Sequence, residues 1–405
     1  MKRFKKMMML FALVLVLTPV SVSAAVFKPE TKSSAALLID LNTGRVLADK
    51  NSNERLPLGS VSKLLLAYFI EEAVADGKLS WDQKIEIKPK FVEYSHDLSV
   101  ATVPLYSEGE YTVRDLMNAT LIPSSNSATM VLADLIAGDQ EKYNQMANEK
   151  LASWGIKNAN WSSASGLPVG ALGPFQTDAY DEDEMNRLSA REAATITGHL
   201  LQDYPHVLTF TKKVTTPFPD GKGGSVLLQN TNKLLQDPDY DVEGMKTGTI
   251  LEYGNNLVAK TKIHGVPVLS VILNAKLAES TTESFTSSKN MWNQASKALV
   301  AEIVPKGMAL GEVKEKTANT RAVKVGMADE QKYLLGKKED KPSFTDVKLN
   351  SEAPFAAGQK VGTATWDFAG EPDFFLPDAG SVAVQATENT DEANWFVRTW
   401  RAIFN

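Results

Sequence analysis

The sequence predicts an α/β chain of the α+β kind: an antiparallel sheet flanked by helices, followed by a small all-β C-terminal domain. Three observations predict it. Two apolar pieces, Ala36–Asp40 and Arg45–Ala48, flank the tight-turn signal Asn42-Thr43-Gly44 and read as a hairpin. Amphipathic helical stretches then alternate with turns as far as Val300. Beyond Pro305-Lys306-Gly307 the texture changes to short β-prone pieces such as Arg321–Val325 and Gln359–Ala364, separated by turns.

Composition sets the bounds. A chain of 405 residues, 43% apolar and 23% charged, is globular and long enough for a large core in two or three domains. The formal net charge of -6 argues against nucleic-acid binding, which needs a basic face. With no cysteine there is no disulfide, thiolate nucleophile or Cys-based metal site. His96, His199, His206 and His264 are scattered and form no metal-binding spacing, so neither a metal nor a cofactor is expected.

The N-terminus reads as an export signal over residues 1–24. Lys2, Arg3, Lys5 and Lys6 precede the apolar run Met7–Leu17, and Val22-Ser23-Ala24 fits a small-x-small cleavage site. The processed protein is expected at the outer face of the cytoplasmic membrane or in the cell wall.

After the first hairpin, Pro57 and Gly59 break the chain, and Leu64, Leu65, Ala67, Tyr68 and Phe69 read as a buried helix. Ser60 sits at the start of that helix and Lys63 projects one turn later from the same face. A hydroxyl and an amine in reach of each other are a candidate nucleophile–base pair, provided burial and a nearby cation keep the amine neutral. The ordinary reading of an isolated Ser-x-x-Lys is a helix cap and a solvated lysine.

Further along, Ile85–Ile87 reads as a short strand and 91–110 as a long loop. Thr112 caps a helix with Asp115 in its first turn, and Pro123 ends it. Ser124-Ser125-Asn126 then lies in an interhelical loop, with a buried helix from Met130 stopped by Gly138 and another over 140–153. Residues 162–185 read as a loop, Ser189-x-x-Glu192 as a capping box, and strands follow near Val214 and Val226. Leu257–Ala259 and Val266–Leu273 flank His264-Gly265 as a hairpin, whose second arm is apolar enough to be a central strand. A helix over 283–300 closes the unit.

The expected division is therefore 25–300, an all-β domain over 301–386, and an amphipathic tail over 387–405. In the tail, Trp395, Phe396, Trp400, Ile403 and Phe404 share one broad face, with Arg398 and Arg401 opposite. Such a short helix gains little stability alone, and its aromatic face suits a membrane surface carrying anionic lipid.

Three elements stand in order: Ser60-Val61-Ser62-Lys63, Ser124-Ser125-Asn126 and Lys246-Thr247-Gly248. With Leu37–Asp40, Ser165-Gly166-Leu167-Pro168, Asn232–Leu235 and Val242–Thr249, they make the chain similar to the low-molecular-weight penicillin-binding proteins of the D-alanyl-D-alanine carboxypeptidase type. The resemblance runs from Ser34 to the C-terminus. It implies the penicillin-binding/β-lactamase-like transpeptidase fold, a peptidoglycan stem peptide ending in D-Ala-D-Ala as substrate, and β-lactams as covalent inhibitors. It also implies roles: Ser60 the nucleophile, Lys63 the base, Ser124 a proton relay, Asn126 a hold on the substrate amide, and Lys246 an electropositive neighbour. Thr247, Gly248 and Thr249 would line the substrate site, with Ser60 and Thr249 backbone N–H groups as oxyanion hole. Two departures stand out. Asn230-Thr231-Asn232 lacks the arginine many relatives carry between the asparagines, with Lys276 a substitute, and Ser125 stands where glycine is common.

Alternatives remain open at this level. Glu182–Asn186 resembles the water-activating loop of a class A β-lactamase, although it also reads as an acidic insertion. A D,D-transpeptidase or endopeptidase on the same fold shares all three elements, and a non-catalytic binder is a further class.

Overall fold

The computed structural model describes residues 25–276, 282–368, 375 and 380–404; the expected signal segment lies outside them. The predicted hairpin forms β1 (Ser33–Asp40) and β2 (Val46–Lys50). Together with β3 (Lys246–Ile250), β4 (Gly254–Ile263) and β5 (Val266–Ala275) they make an antiparallel five-stranded sheet of order β2-β1-β5-β4-β3. The apolar arm β5 is its central strand, as its composition predicts.

Alternation along the strands builds two cores. Ala35, Leu37 and Ile39 of β1 face one hydrophobic cluster, Ala36 and Leu38 the other. The first cluster carries the helices α1 (Lys63–Ala75), α2 (Pro89–Ser95), α3 (Val113–Leu121), α4 (Asn126–Ala137), α5 (Gln140–Ser153) and α6 (Ala190–Asp203). The second packs α7 (Glu283–Ala298) through Met291, Trp292 and Ala295. The sheet is thus sandwiched between helical layers, buried on both faces.

Local signals placed most boundaries. The expected capping box Ser189/Glu192 is formed, and the expected Thr112 cap closes as a box as well, with the Asp115 side chain returning to the Thr112 N–H. Gly138 ends α4 at φ +88°. Four expectations are corrected. The stretch 91–110 is not loop throughout, because Pro89 opens the short helix α2 and Phe91 and Tyr94 bury one face of it. The strand near Ile85 is only Lys84–Ile85. Helix α4 begins at Asn126, not Met130, because the Ser125 hydroxyl accepts the Ala128 N–H as its cap. Helix α7 stops at Ala298, where the chain turns directly into a strand.

That strand is β6 (Leu299–Val304), and it pairs with β9 (Gln331–Gly336). A second sheet holds β7 (Ala309–Lys314), β8 (Ala322–Met327), β10 (Ser343–Leu349), β11 (Lys360–Asp367) and β12 (Ser381–Ala386) in the order β7-β8-β12-β11-β10. Trp366, Tyr333, Val323 and Val384 sit in its own core, so the expected all-β unit is present. The turn after β1 seams the two units. Asp40 accepts the Leu334 N–H of β9 at 2.8 Å, and Asn42 Nδ2 donates to Lys332 O at 2.7 Å. Burial pushes the Asp40 carboxyl up to about 6 against the pull of three backbone N–H groups. Arg45 adds a forked pair with Glu339 at 2.8 and 3.1 Å.

Helix α8 (Trp395–Phe404) follows, with Trp395, Phe396, Trp400 and Ile403 exposed. Arg401 is not on a free polar face: it is buried and donates to the carbonyls of Lys316, Ala318 and Asn319. It therefore docks the helix on the β-domain. The Phe404 side chain lies outside the described residues.

Candidate active site

A single 3₁₀ turn, Gly59–Ser62, delivers Ser60 to the mouth of α1. Ser60 caps nothing: Leu58 and Ser62 hold the N-cap positions of the turn and of the helix, and neither position shows a side-chain cap. The hydroxyl is instead 2.9 Å from Lys63 Nζ, the first residue of α1. The amine is fully buried and lies 2.7 Å from Asn126 Oδ1, 3.0 Å from Ser124 O and 3.2 Å from Ser124 Oγ.

The partners can accommodate a neutral amine at this position. A neutral amine has two N–H donors and one lone pair. The two carbonyl oxygens of Ser124 and Asn126 accept the two hydrogens, which leaves the lone pair for a hydroxyl. Burial, and then the charge of Lys246, hold the Lys63 amine well below the ordinary lysine range. Lys246 is itself buried, and desolvation brings it down to about 7; it donates to Thr247 O at 3.0 Å.

The second motif is held in place by the fold. Ser124 adopts φ +68°, a left-handed conformation rare for a side-chain-bearing residue, which turns both its carbonyl and its hydroxyl to Lys63. Ser125, the departure from glycine, has an ordinary φ of -58°. Its hydroxyl accepts from Val103 N at 3.1 Å as well as capping α4. This serine ties the 101–105 segment to the motif.

The third motif arrives on β3, the edge strand, packed directly against the Ser60 turn. A Cβ on Gly248 would lie 2.6 Å from Leu58 O and 3.3 Å from Val61 N, so only glycine permits that approach. A Cβ on Gly166 would lie 2.0 Å from Gly59 O, so the Ser165-Gly166 segment closes on the turn from the other side under the same constraint. Thr249 Oγ1 donates to Asn255 Oδ1 at 2.9 Å.

Ser60, Ser124, Asn126, Thr247, Gly248 and Thr249 line one cleft of about 920 Å³, with Lys63 and Lys246 buried behind its wall. The expected site residues are therefore brought together. Two other candidates are not: Glu182 does not line the cleft, although Asp183 does, and Lys276 lines a separate depression with Lys32 and Lys50. Sequence reasoning missed three supports. Asn256 Nδ2 donates to Pro57 O and Leu58 O, both at 2.9 Å, fixing the approach to Ser60. Asn186 Nδ2 donates to Ser62 Oγ at 2.9 Å. Thr231 shares a hydrogen bond of 2.6 Å with Thr247 through their hydroxyls. Asn186 carried a signal as the last residue of the loop resembling a β-lactamase, and Thr231 as the residue between the two asparagines; Asn256 carried none.

A buried neutral amine beside a hydroxyl, with a second hydroxyl and an amide oxygen on the same nitrogen, can deprotonate a serine and pass on its proton. The chain is 26% identical over 389 residues to the D-alanyl-D-alanine carboxypeptidase DacC of Escherichia coli (strain K12), covering 92% of this chain and 88% of that protein. Against DacA of Haemophilus influenzae it is 25% identical over 414 residues, 99% of this chain and 97% of that one. The solved PBP3 of Streptococcus pneumoniae, a peptidoglycan synthesis regulatory factor, superposes with a TM-score of 0.78 at 25% identity, over 89% of this chain and 99% of that one. Penicillin-binding protein D2 of Listeria monocytogenes with ampicillin bound has a TM-score of 0.54 at 24% identity, over 65% and 97%, a likeness of fold. The pattern of the penicillin-binding protein 5 C-terminal domain matches residues 301–374. The pattern described as D-alanyl-D-alanine carboxypeptidase matches residues 22–277, more than half the chain, and the protein belongs to that family.

Proposed function

We propose that this chain is a serine carboxypeptidase that removes the terminal D-alanine from peptidoglycan stem pentapeptides through an acyl-enzyme. The observation that carries the reading is the Lys63 amine, buried and 2.9 Å from Ser60 Oγ. In the first step Ser60 Oγ bonds to the carbonyl carbon between the two D-alanines while Lys63 Nζ takes its proton. The C–N bond then breaks, and Ser124 Oγ, 3.2 Å from the amine, passes that proton to the leaving nitrogen. Asn126 holds Lys63 and the substrate amide. The backbone N–H groups of Ser60 and Thr249 bind the oxyanion, and Thr247 and Thr249 face the terminal carboxylate. Water attacks the ester, with Lys63 again as base, releasing the shortened peptide and restoring Ser60. β-Lactams acylate the same oxygen.

Glu182 lies off the cleft, so the class A β-lactamase reading lacks its deacylating base. A penicillin mass shift on Ser60, together with D-alanine release from a peptide ending in D-Ala-D-Ala, tests the assignment. A Ser60→Ala protein that keeps either activity overturns it.

The division of the chain belongs to the same proposal: a cleaved leader over 1–24, the peptidase unit over 25–300, the β-domain over 301–386 and the tail over 387–405. Strand β6 spans the join between the second and third parts. The leader sends the protein across the cytoplasmic membrane. No helix among the described residues is long and apolar enough to span a membrane. The exposed Trp395, Phe396, Trp400 and Ile403, with Phe404, favour attachment of α8 to the membrane surface.

A further inference from the structure

The substrate of the proposed reaction ends in a carboxylate, and a cleft that binds it gains from a cation on its wall. Among the described residues lining the cleft, Lys233 is the one with a basic side chain, and Asp183 and Glu252 are the acids. The two catalytic-motif lysines are not available for this role. Lys63 is committed to Ser60, Ser124 and Asn126, and Lys246 is buried and donates to Thr247 O.

The wall that carries Lys233 is rigid. Asn230 and Asn232 are buried; Asn230 Nδ2 donates to Lys213 O at 2.9 Å, and its Oδ1 accepts the Asn232 N–H at 2.8 Å. Asn232 Oδ1 in turn caps the 3₁₀ turn that Lys233 opens, accepting Leu234 N at 3.1 Å, while its Nδ2 donates to Gly244 O at 3.0 Å. Between the asparagines, the Thr231 hydroxyl meets the Thr247 hydroxyl of β3 at 2.6 Å. Lys233 therefore leaves the wall two residues from the threonine pair. Its side chain is exposed and forms no ion pair among the described residues; its contact is a long hydrogen bond to Asn230 O at 3.5 Å.

We propose that Lys233 is the cation that binds the terminal carboxylate of the D-Ala-D-Ala substrate, beside the Thr231–Thr247 hydroxyl pair. The assignment rests on the carboxypeptidase reading and names a specificity residue within it. An ammonium on a flexible stem, exposed at the cleft wall, supplies the charge without the forked geometry of an arginine.

The test compares wild type, Lys233→Gln, Lys233→Arg and Lys276→Gln. Two ligands are used: a peptide ending in D-Ala-D-Ala, followed by D-alanine release, and its C-terminal carboxamide, scored as a competitive inhibitor. Lys233→Gln is expected to lose roughly 10- to 100-fold in kcat/KM on the carboxylate peptide, the range of a hydrogen-bonded charge contact. Its affinity for the carboxamide stays as in wild type. Lys233→Arg recovers most of the loss, Lys276→Gln loses nothing, and added salt weakens wild type more than Lys233→Gln. A Lys233→Gln enzyme with unchanged kcat/KM, or with equal losses on both ligands, overturns the proposal, and so does a loss in Lys276→Gln. Penicillin acylation and D-alanine release by wild type, measured first, judge the carboxypeptidase reading separately.

Discussion

Lys63 Nζ stands 2.9 Å from Ser60 Oγ, one helical turn along the chain and with no exposed surface of its own. Replacing it with methionine keeps the buried stem and removes the base. Acylation by penicillin should fall roughly 10²- to 10⁴-fold, the usual contribution of a positioned base. Far-UV circular dichroism should be unchanged. Acylation at the wild-type rate would remove Lys63 from the mechanism.

The second lysine tunes the first. The charge of Lys246 is one of the causes that hold the Lys63 amine down. Lys246→Gln should therefore move the acidic limb of the acylation profile to higher pH, because Lys63 then keeps its proton longer. A limb that stays in place contradicts the coupling.

Burial of Lys246 also bears on stability. Its pKa is about 7 folded, against 10.5 for a free lysine. Between those values the unfolded chain binds more protons than the folded one, so unfolding free energy rises with pH across that window. Below about pH 7 both states hold the proton and this contribution is absent. Denaturant midpoints from pH 7 to 10 should show a positive slope that is reduced in Lys246→Gln.

The contact between β3 and the Ser60 turn gives a steric prediction. A Cβ at Gly248 meets Leu58 O at 2.6 Å, a backbone atom that cannot swing aside. Gly248→Ala should displace the strand, lower stability by about 1–3 kcal/mol and reduce acylation well beyond that stability loss. Thermal melts and penicillin labelling of the folded fraction separate the two effects.

The tail gives a prediction about location. Residues 389–394 are stitched into the β-domain: Asn389 Oδ1 accepts Ala357 N at 2.8 Å and Ala393 N donates to Thr317 O at 2.7 Å. A truncation should therefore begin at Trp395. D-alanine release should persist, and co-sedimentation with anionic vesicles should be lost; retained sedimentation would assign membrane contact elsewhere.

Much of this was legible before any coordinates. The hairpin of β1 and β2, the central strand β5, the helix caps at Thr112 and Ser189 and the stop at Gly138 are all encoded within a few residues, by apolar period or by a side chain reaching its own backbone. The Ser60–Lys63 pair is local in the same sense, since helical spacing alone puts one beside the other. Legibility failed where the deciding partner is distant in the chain. Asn126 heads a helix because Ser125 both caps it and bonds Val103, and Arg401 turns inward because three carbonyls of the β-domain await it.

The sequence by itself determined the chemical parts and their order: a serine, two lysines, a Ser-Ser-Asn turn, and a glycine-bearing strand. Tertiary structure decided how they meet. It buried both amines, brought β3 against the Ser60 turn, placed Thr231 on Thr247, and put Lys233 rather than Lys276 on the cleft wall. The physical reason is range: caps and helical periods act over three or four residues, whereas desolvation and close approach depend on which surfaces of the folded chain are pressed together.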